Sequence, residues 1–344
     1  MSKYSFKYDF SEGCHPRILE ALTRSNSEQQ GGYGTDEYSR QAKELLRAKM
    51  NRPNADIYFV SGGTQANLIV ISAILHTFEA VVSAKTGHIQ QHEAGAIEAT
   101  GHRIETIEKA DGKLTTADIQ PVLDRYFPPH TIKPKMVYLT HSTELGTIYT
   151  KSELQAIWEL CQKNDLYLYI DGARIGAALC AENSDLSLED LAAMCDVFYI
   201  GGTKNGALLG EAIVINNEKL KVGFESNIKQ RGGLLAKGRL LGIQFLELFR
   251  DDLFFELARH ANRMAQKIRI ALKAHNILLI SESPTNQLFA AMPNPLIEKL
   301  SEKYDFYTFY KYDAERSVVR LVTSWTTEEA VVEQFIEDLT KMIS

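Results

Sequence analysis

Long apolar runs, paired cysteines, proline-rich stretches and excess positive charge are all scarce or missing from this chain of 344 residues. The longest apolar run, around Leu68–Leu75, is interrupted by Ser72 and bounded by Asn67 and His76, which is too short to span a bilayer. Cys14, Cys161, Cys180 and Cys195 stand far apart with no C-x-x-C spacing. That argues against a zinc cage or a disulfide framework and fits reduced thiols. The opening MSKYSFKYDFSEG has no apolar core of signal-peptide length, so a cytoplasmic address is expected. A net charge of -6 argues against nucleic acid as the main partner. No internal repeat, no Ser- or Pro-rich linker and no G-x-G-x-x-G is present, so a nicotinamide dinucleotide has no support.

What the chain does have is alternation. Ile57–Val60, Ala80–Ala84, Met136–Thr140, Leu166–Asp171, Asp196–Gly202 and Ala212–Asn216 are short, nearly continuous apolar runs, as in strands covered on both faces. Helical patterns lie between them, from about Gln65 to Phe78 and from Lys151 onward. This order predicts an α/β architecture, with a mainly parallel central sheet and helices on both faces. After about residue 245 the pattern changes to a long helical stretch over Asp251–His275, strand-like ILLIS, QLFAAM and SVVRLV, and a last helix from about Thr327. The expected division is therefore 1–245, including an N-terminal segment 1–30, and a smaller C-terminal α+β unit at 246–344.

In parallel sheets ligands gather at the carboxyl ends of strands. Two such ends carry chemistry. LYLYID-GAR sets Asp171 and Arg174 just beyond one strand, and DVFYIGGTKNG sets Thr203 and Lys204 beyond another, among Gly201, Gly202 and Gly206. A lysine and an aspartate facing one ligand are what pyridoxal 5'-phosphate chemistry needs. The amine condenses with the cofactor aldehyde, and the carboxylate keeps the pyridine nitrogen protonated. SGGTQANL is a glycine-rich strand-to-helix turn, where Gly63 and Thr64 could hold a phosphate with help from the Thr203 hydroxyl. His88 and His92 have the i,i+4 spacing of a metal pair, but H-E-x-x-H and a third ligand are missing. Stacking of His88 on a flat cofactor is preferred, and no metal is expected.

Together GGTQANL, the GH at residue 88 with EAGAIE after it, DGAR, and GGTKNG 33 residues beyond Asp171 resemble the threonine aldolases. These belong to the β-eliminating lyases of fold type I, the aspartate-aminotransferase-like fold. The resemblance implies a lyase that cleaves a β-hydroxy-α-amino acid to glycine and an aldehyde. It assigns the Schiff base to Lys204, the ring-nitrogen contact to Asp171 and ring stacking to His88. By the same resemblance Arg174 is expected near the cofactor phenolate and the substrate carboxylate, with Arg320 and Ser11 binding that carboxylate. Tyr33, in GGYGTDEY, matches a tyrosine that reaches a neighbouring subunit's site, so a dimer or tetramer with shared sites is implied. Two departures stand out. Thr143 or Glu144 falls where many relatives carry a loop histidine, with His141 shifted, and Ala236 falls where an arginine is common, although Lys229 fits and Arg231 or Lys237 could compensate. Glu144, His141 and His88 are the candidates for the general base. Alternatives are a lyase eliminating another β-substituent, an aminotransferase, a metal-dependent aldolase, and a non-catalytic cofactor-binding protein.

Overall fold

The structure is a computed structural model that describes residues 3–343. All six apolar runs lie in one seven-stranded sheet. In spatial order its strands are Asp56–Val60, Glu211–Ile215, Val197–Gly201, Tyr167–Asp171, Lys133–Thr140, Glu79–Ala84 and Arg103–Ile107. Five of them run parallel, from Val197–Gly201 to Arg103–Ile107, while Glu211–Ile215 is antiparallel to both of its neighbours. The seventh strand carries Arg103 and Glu105, so its sequence lacks the apolar run of the others. A charged, half-exposed edge blunts pairing with other chains, and that is why a search for apolar runs passes over it.

Side chains alternate across the sheet, and each face feeds its own core. Val82, Val137, Leu168, Phe198 and Val214 point into one apolar cluster, and Val81, Tyr138, Tyr169, Tyr199 and Ile213 into the other. Helix Lys151–Lys163 begins where Thr150 and Glu153 form a capping box. Helix Gly63–Ile74 starts two residues earlier than its apolar periodicity suggests and ends four residues before Phe78. The backbone turns extended at Leu75, and the His76 N–H donates to the Glu79 carboxylate at 3.0 Å.

Beyond this sheet a four-stranded antiparallel sheet orders Tyr307–Lys311, Arg316–Val322, Gln287–Pro293 and Leu278–Leu279. Helices Leu253–Ala274 and Glu329–Ile343 cover it around a third core. The chain's first residues join this part: Tyr4–Ser5 pairs with Tyr304–Asp305, and Phe6 packs on Phe335. Residue 245 lies inside helix Arg239–Arg250, whose Phe245, Leu248 and Phe249 belong to the large core. Among the described residues no helix is long and apolar enough to cross a membrane.

Candidate active site

Close packing of two strand ends explains the glycines of DGAR and GGTKNG. A Cβ on Gly172 would collide with the Tyr199 carbonyl, and one on Gly201 with the Ala173 carbonyl. Only glycines let these turns approach, which sets the residues after Asp171 beside the loop that carries Lys204.

Asp171, the last residue of its strand, is buried and accepts four hydrogen bonds. Tyr199 Oη and the Ala173 N–H donate to Oδ1, and Tyr138 Oη and Asn67 Nδ2 donate to Oδ2 at 2.5 and 3.1 Å. Burial, with the carboxylate as the next cause, pushes the hydroxyls of Tyr138 and Tyr199 far above the usual tyrosine range, so they stay donors. Asn67 is held in turn by Tyr169 Oη, which donates to its Oδ1 at 2.7 Å. It also donates to Glu93 Oε1 at 2.7 Å, and the same oxygen lies 2.8 Å from His88 Nδ1.

A cavity of about 280 Å³ opens beside this cluster, lined by Phe10, the Ser61–Thr64 turn, His88, Ala173, Tyr199, Thr203, Lys204 and Glu211. Burial, strengthened by Arg174, holds the Lys204 ammonium below the usual lysine range, against the opposing pull of Asp9, Asp171 and Glu211. At the turn, Gly62 caps helix Gly63–Ile74 without a side chain. The N–H groups of Gly63 and Thr64 have no partner among the described residues. A Cβ on Gly63 would come within 2.9 Å of Tyr199 Oη, so the floor of the cradle admits glycine only. The Thr203 hydroxyl accepts the Gly210 N–H at 3.0 Å, and Thr203 helps to favour the charged form of the nearby Glu211 carboxyl. A lysine of lowered basicity, an orphaned set of amides at a helix start, and a carboxylate held by neutral donors suit a phosphorylated aldehyde with a ring nitrogen.

Neither Arg174 nor Arg320 lines this cavity. Arg174 grips Asp9 through Nε at 2.7 Å and Nη2 at 3.1 Å, and Asn286 Nδ2 donates to Asp9 at 3.0 Å. Burial would raise Asp9, but Arg174, Lys204 and Asn286 together outweigh it and the carboxyl ends below its usual range. Arg320 donates from Nη2 to the Lys7 carbonyl at 3.2 Å and lies 5.1 Å from the Tyr307 ring centre, while its buried Nε has no partner. Ser11 is exposed and outside the cavity lining, as is Tyr33, whose ring carries the Lys229 ammonium at 4.3 Å.

The three candidate bases differ sharply. Glu144 accepts the His88 N–H at 2.7 Å with one oxygen and the Thr140 hydroxyl at 2.9 Å with the other, and burial raises it to about 7. His141 is buried behind the strand end, and burial lowers it to about 4. Its Nε2 has no partner, and it does not line the cavity. His88 does, with Nδ1 anchored on Glu93.

Sequence reading missed Asp9, Asn67, Glu93, Tyr138, Tyr199 and Glu211. One signal was available for the tyrosines. Tyr138, Tyr169 and Tyr199 each stand two residues before the end of their strand, on three adjacent strands, which puts them on one face.

Comparison with known proteins follows the same line. Residues 13–294 match the family described as beta-eliminating lyase. The chain is 32% identical to a low specificity L-threonine aldolase of Pseudomonas sp. over 343 residues, covering 98% of each chain. It superposes on Leishmania major threonine aldolase with a TM-score of 0.98 at 46% identity, covering 99% of this chain and 100% of that one. Thermus thermophilus aspartate aminotransferase shares the fold alone, with a TM-score of 0.72 at 16% identity, covering 99% of this chain and 91% of that one.

Proposed function

Since the chain belongs to the beta-eliminating lyase family, we propose that it cleaves a β-hydroxy-α-amino acid of the threonine type to glycine and an aldehyde, with pyridoxal 5'-phosphate held at Lys204. The observation that carries this reading is a lysine of lowered basicity sharing one cavity wall with the Asp171 cluster.

When bound, the cofactor supplies an electron sink for the charge released as the Cα–Cβ bond breaks. The chain's residues do the rest. Burial favours the neutral form of the Lys204 amine, the form a nucleophile requires. Asp171, locked by its four donors, presents a fixed negative charge to the ring nitrogen. The Gly63 and Thr64 amides take the phosphate. Arg320, with a free Nε, takes the substrate carboxylate, and Arg174, whose Nε and Nη2 are held by Asp9, adds positive charge to the same end of the site. With Glu93 ionised, His88 donates Nδ1–H to it and keeps Nε2 as an acceptor. We assign to Nε2 the removal of the substrate hydroxyl proton, because His88 alone among the three candidates lines the cavity. Help of this kind is worth ~10²–10⁴-fold. We further propose that the chain acts as a dimer or tetramer, with Tyr33 of one copy reaching the next.

The test is product identification with cofactor-loaded protein and L-allo-threonine or L-threonine. Glycine with acetaldehyde is the expected result. Ammonia with 2-oxobutyrate would replace the retro-aldol reading by β-elimination.

A further inference from the structure

Strand Glu211–Ile215 is buried along its whole length, yet it begins with a carboxylic acid. Glu211 sits between Val60 and Gly201 in the sheet and is 5% exposed. A carboxyl in such a place is costly unless hydrogen bonds, a proton or a counter-charge hold it. Its Oε2 accepts the Gly202 N–H at 2.9 Å, and Thr203 also favours the charged form. Neither supplies a counter-charge. The next residue of that loop is Lys204, which lines the cavity together with Glu211. The retro-aldol reading gives Glu211 no task.

We propose that Glu211 is the proton partner of Lys204 across the cavity that both line, taking a proton from its ammonium through the solvent of that cavity when the amine engages the cofactor and returning it by the same route when the amine is released. In the first step one N–H bond breaks and one O–H bond forms, and the pair is neutral overall before and after. No other reactant is needed.

Burial drives the two groups toward each other. Glu211 is raised to about 8, against the pull of Thr203 and Lys204, while Lys204 is lowered. The other charges facing Lys204 are Arg174, which disfavours the ammonium, and Asp9 and Asp171, which favour it. Asp171 faces Glu211 as well, as do the hydroxyls of Tyr199 and Tyr169. Asp9 is tied to Arg174 and Asn286, and Asp171 accepts four hydrogen bonds. Glu211 is therefore the carboxyl free to exchange a proton with the lysine.

The inference rests on the reading of Lys204 as the attachment residue, but its first test does not need the cofactor. In cofactor-free protein, the rate at which trace acetic anhydride acylates Lys204 is followed against pH by peptide mass. Glu211→Gln keeps an acceptor for the Gly202 N–H and removes the charge. The expected result is a fall of about one pH unit or more in the Lys204 midpoint, roughly tenfold higher reactivity at a fixed pH below it. Glu211→Asp should move the midpoint back. An unchanged midpoint in Glu211→Gln overturns the proposal, even if turnover falls. If that variant does not fold, infrared difference spectra of the wild type on cofactor addition decide the matter. A protonated carboxyl band that appears and is lost in samples labelled at glutamate is expected, and no change in that band overturns the proposal. Should Lys204 not be the attachment residue, borohydride-trapped cofactor would map to another lysine, a failure separate from either result.

Discussion

Replacing Asp171 by asparagine should cost both stability and turnover, by separable amounts. The two oxygens of Asp171 each accept two hydrogen bonds, from Tyr199 and the Ala173 N–H on one side and from Tyr138 and Asn67 on the other. An asparagine amide group must replace one oxygen, and whichever side it takes, an N–H donor then faces a donor and the tyrosine hydroxyl must turn to accept. Leaving a buried polar group unsatisfied costs about 1–3 kcal/mol, so the apoprotein should lose that much against denaturant. Turnover falls for a different reason, because the fixed negative charge opposite the ring nitrogen is gone. Loss of one well-placed electrostatic contact at a reacting centre is worth about 2.7–4 kcal/mol, or ~10²–10³ in kcat. Aldehyde release coupled to alcohol dehydrogenase reads the second effect, and urea unfolding without cofactor reads the first. A variant that is destabilised as expected but turns over at close to the wild-type rate would show that Asp171 is only a packing anchor, and would refute the assigned role.

Two other predictions follow from the arginine and histidine geometry. Arg320→Gln should raise KM about 10–100-fold with little change in kcat, the loss of a charge-assisted contact worth ~1.5–3 kcal/mol. Steady-state kinetics with L-allo-threonine checks this, and an unchanged KM places the substrate carboxylate elsewhere. His141 is buried and its folded value is lowered from 6.5 to about 4. Between those values the unfolded chain binds a proton that the folded chain refuses, so stability is full above pH 6.5 and falls as pH drops toward 4. At ~1.36 kcal/mol per unit this amounts to on the order of 3 kcal/mol. Unfolding free energies measured across that window should fall less steeply in His141→Gln, and parallel curves would contradict the assignment.

The parts of this molecule that are legible in sequence are those fixed by local rules. Two-sided burial writes itself into the six apolar strands, and the close approach of Gly172 and Gly201 writes itself into DGAR and GGTKNG. Arg103–Ile107 was not legible, because an edge strand is free to carry charge. Neither was Tyr307–Lys311, an exposed aromatic edge of the smaller sheet. The partners of the site residues were hidden for another reason. Asp9 meets Arg174, and Asn67 joins Asp171 to Glu93, across more than a hundred residues or through a turn that no spacing announces. Glu211 was hidden in the same way: it looks like an ordinary strand start, yet it lines the cavity beside Lys204.

The central claim is that the cavity is built to bind pyridoxal phosphate through Lys204. It is tested most directly by reducing the loaded protein with borohydride and locating the trapped cofactor by peptide mass. The account predicts a single modified peptide carrying the adduct at Lys204, and none in Lys204→Ala. An adduct at any other lysine, or an equal yield in the variant, would contradict it.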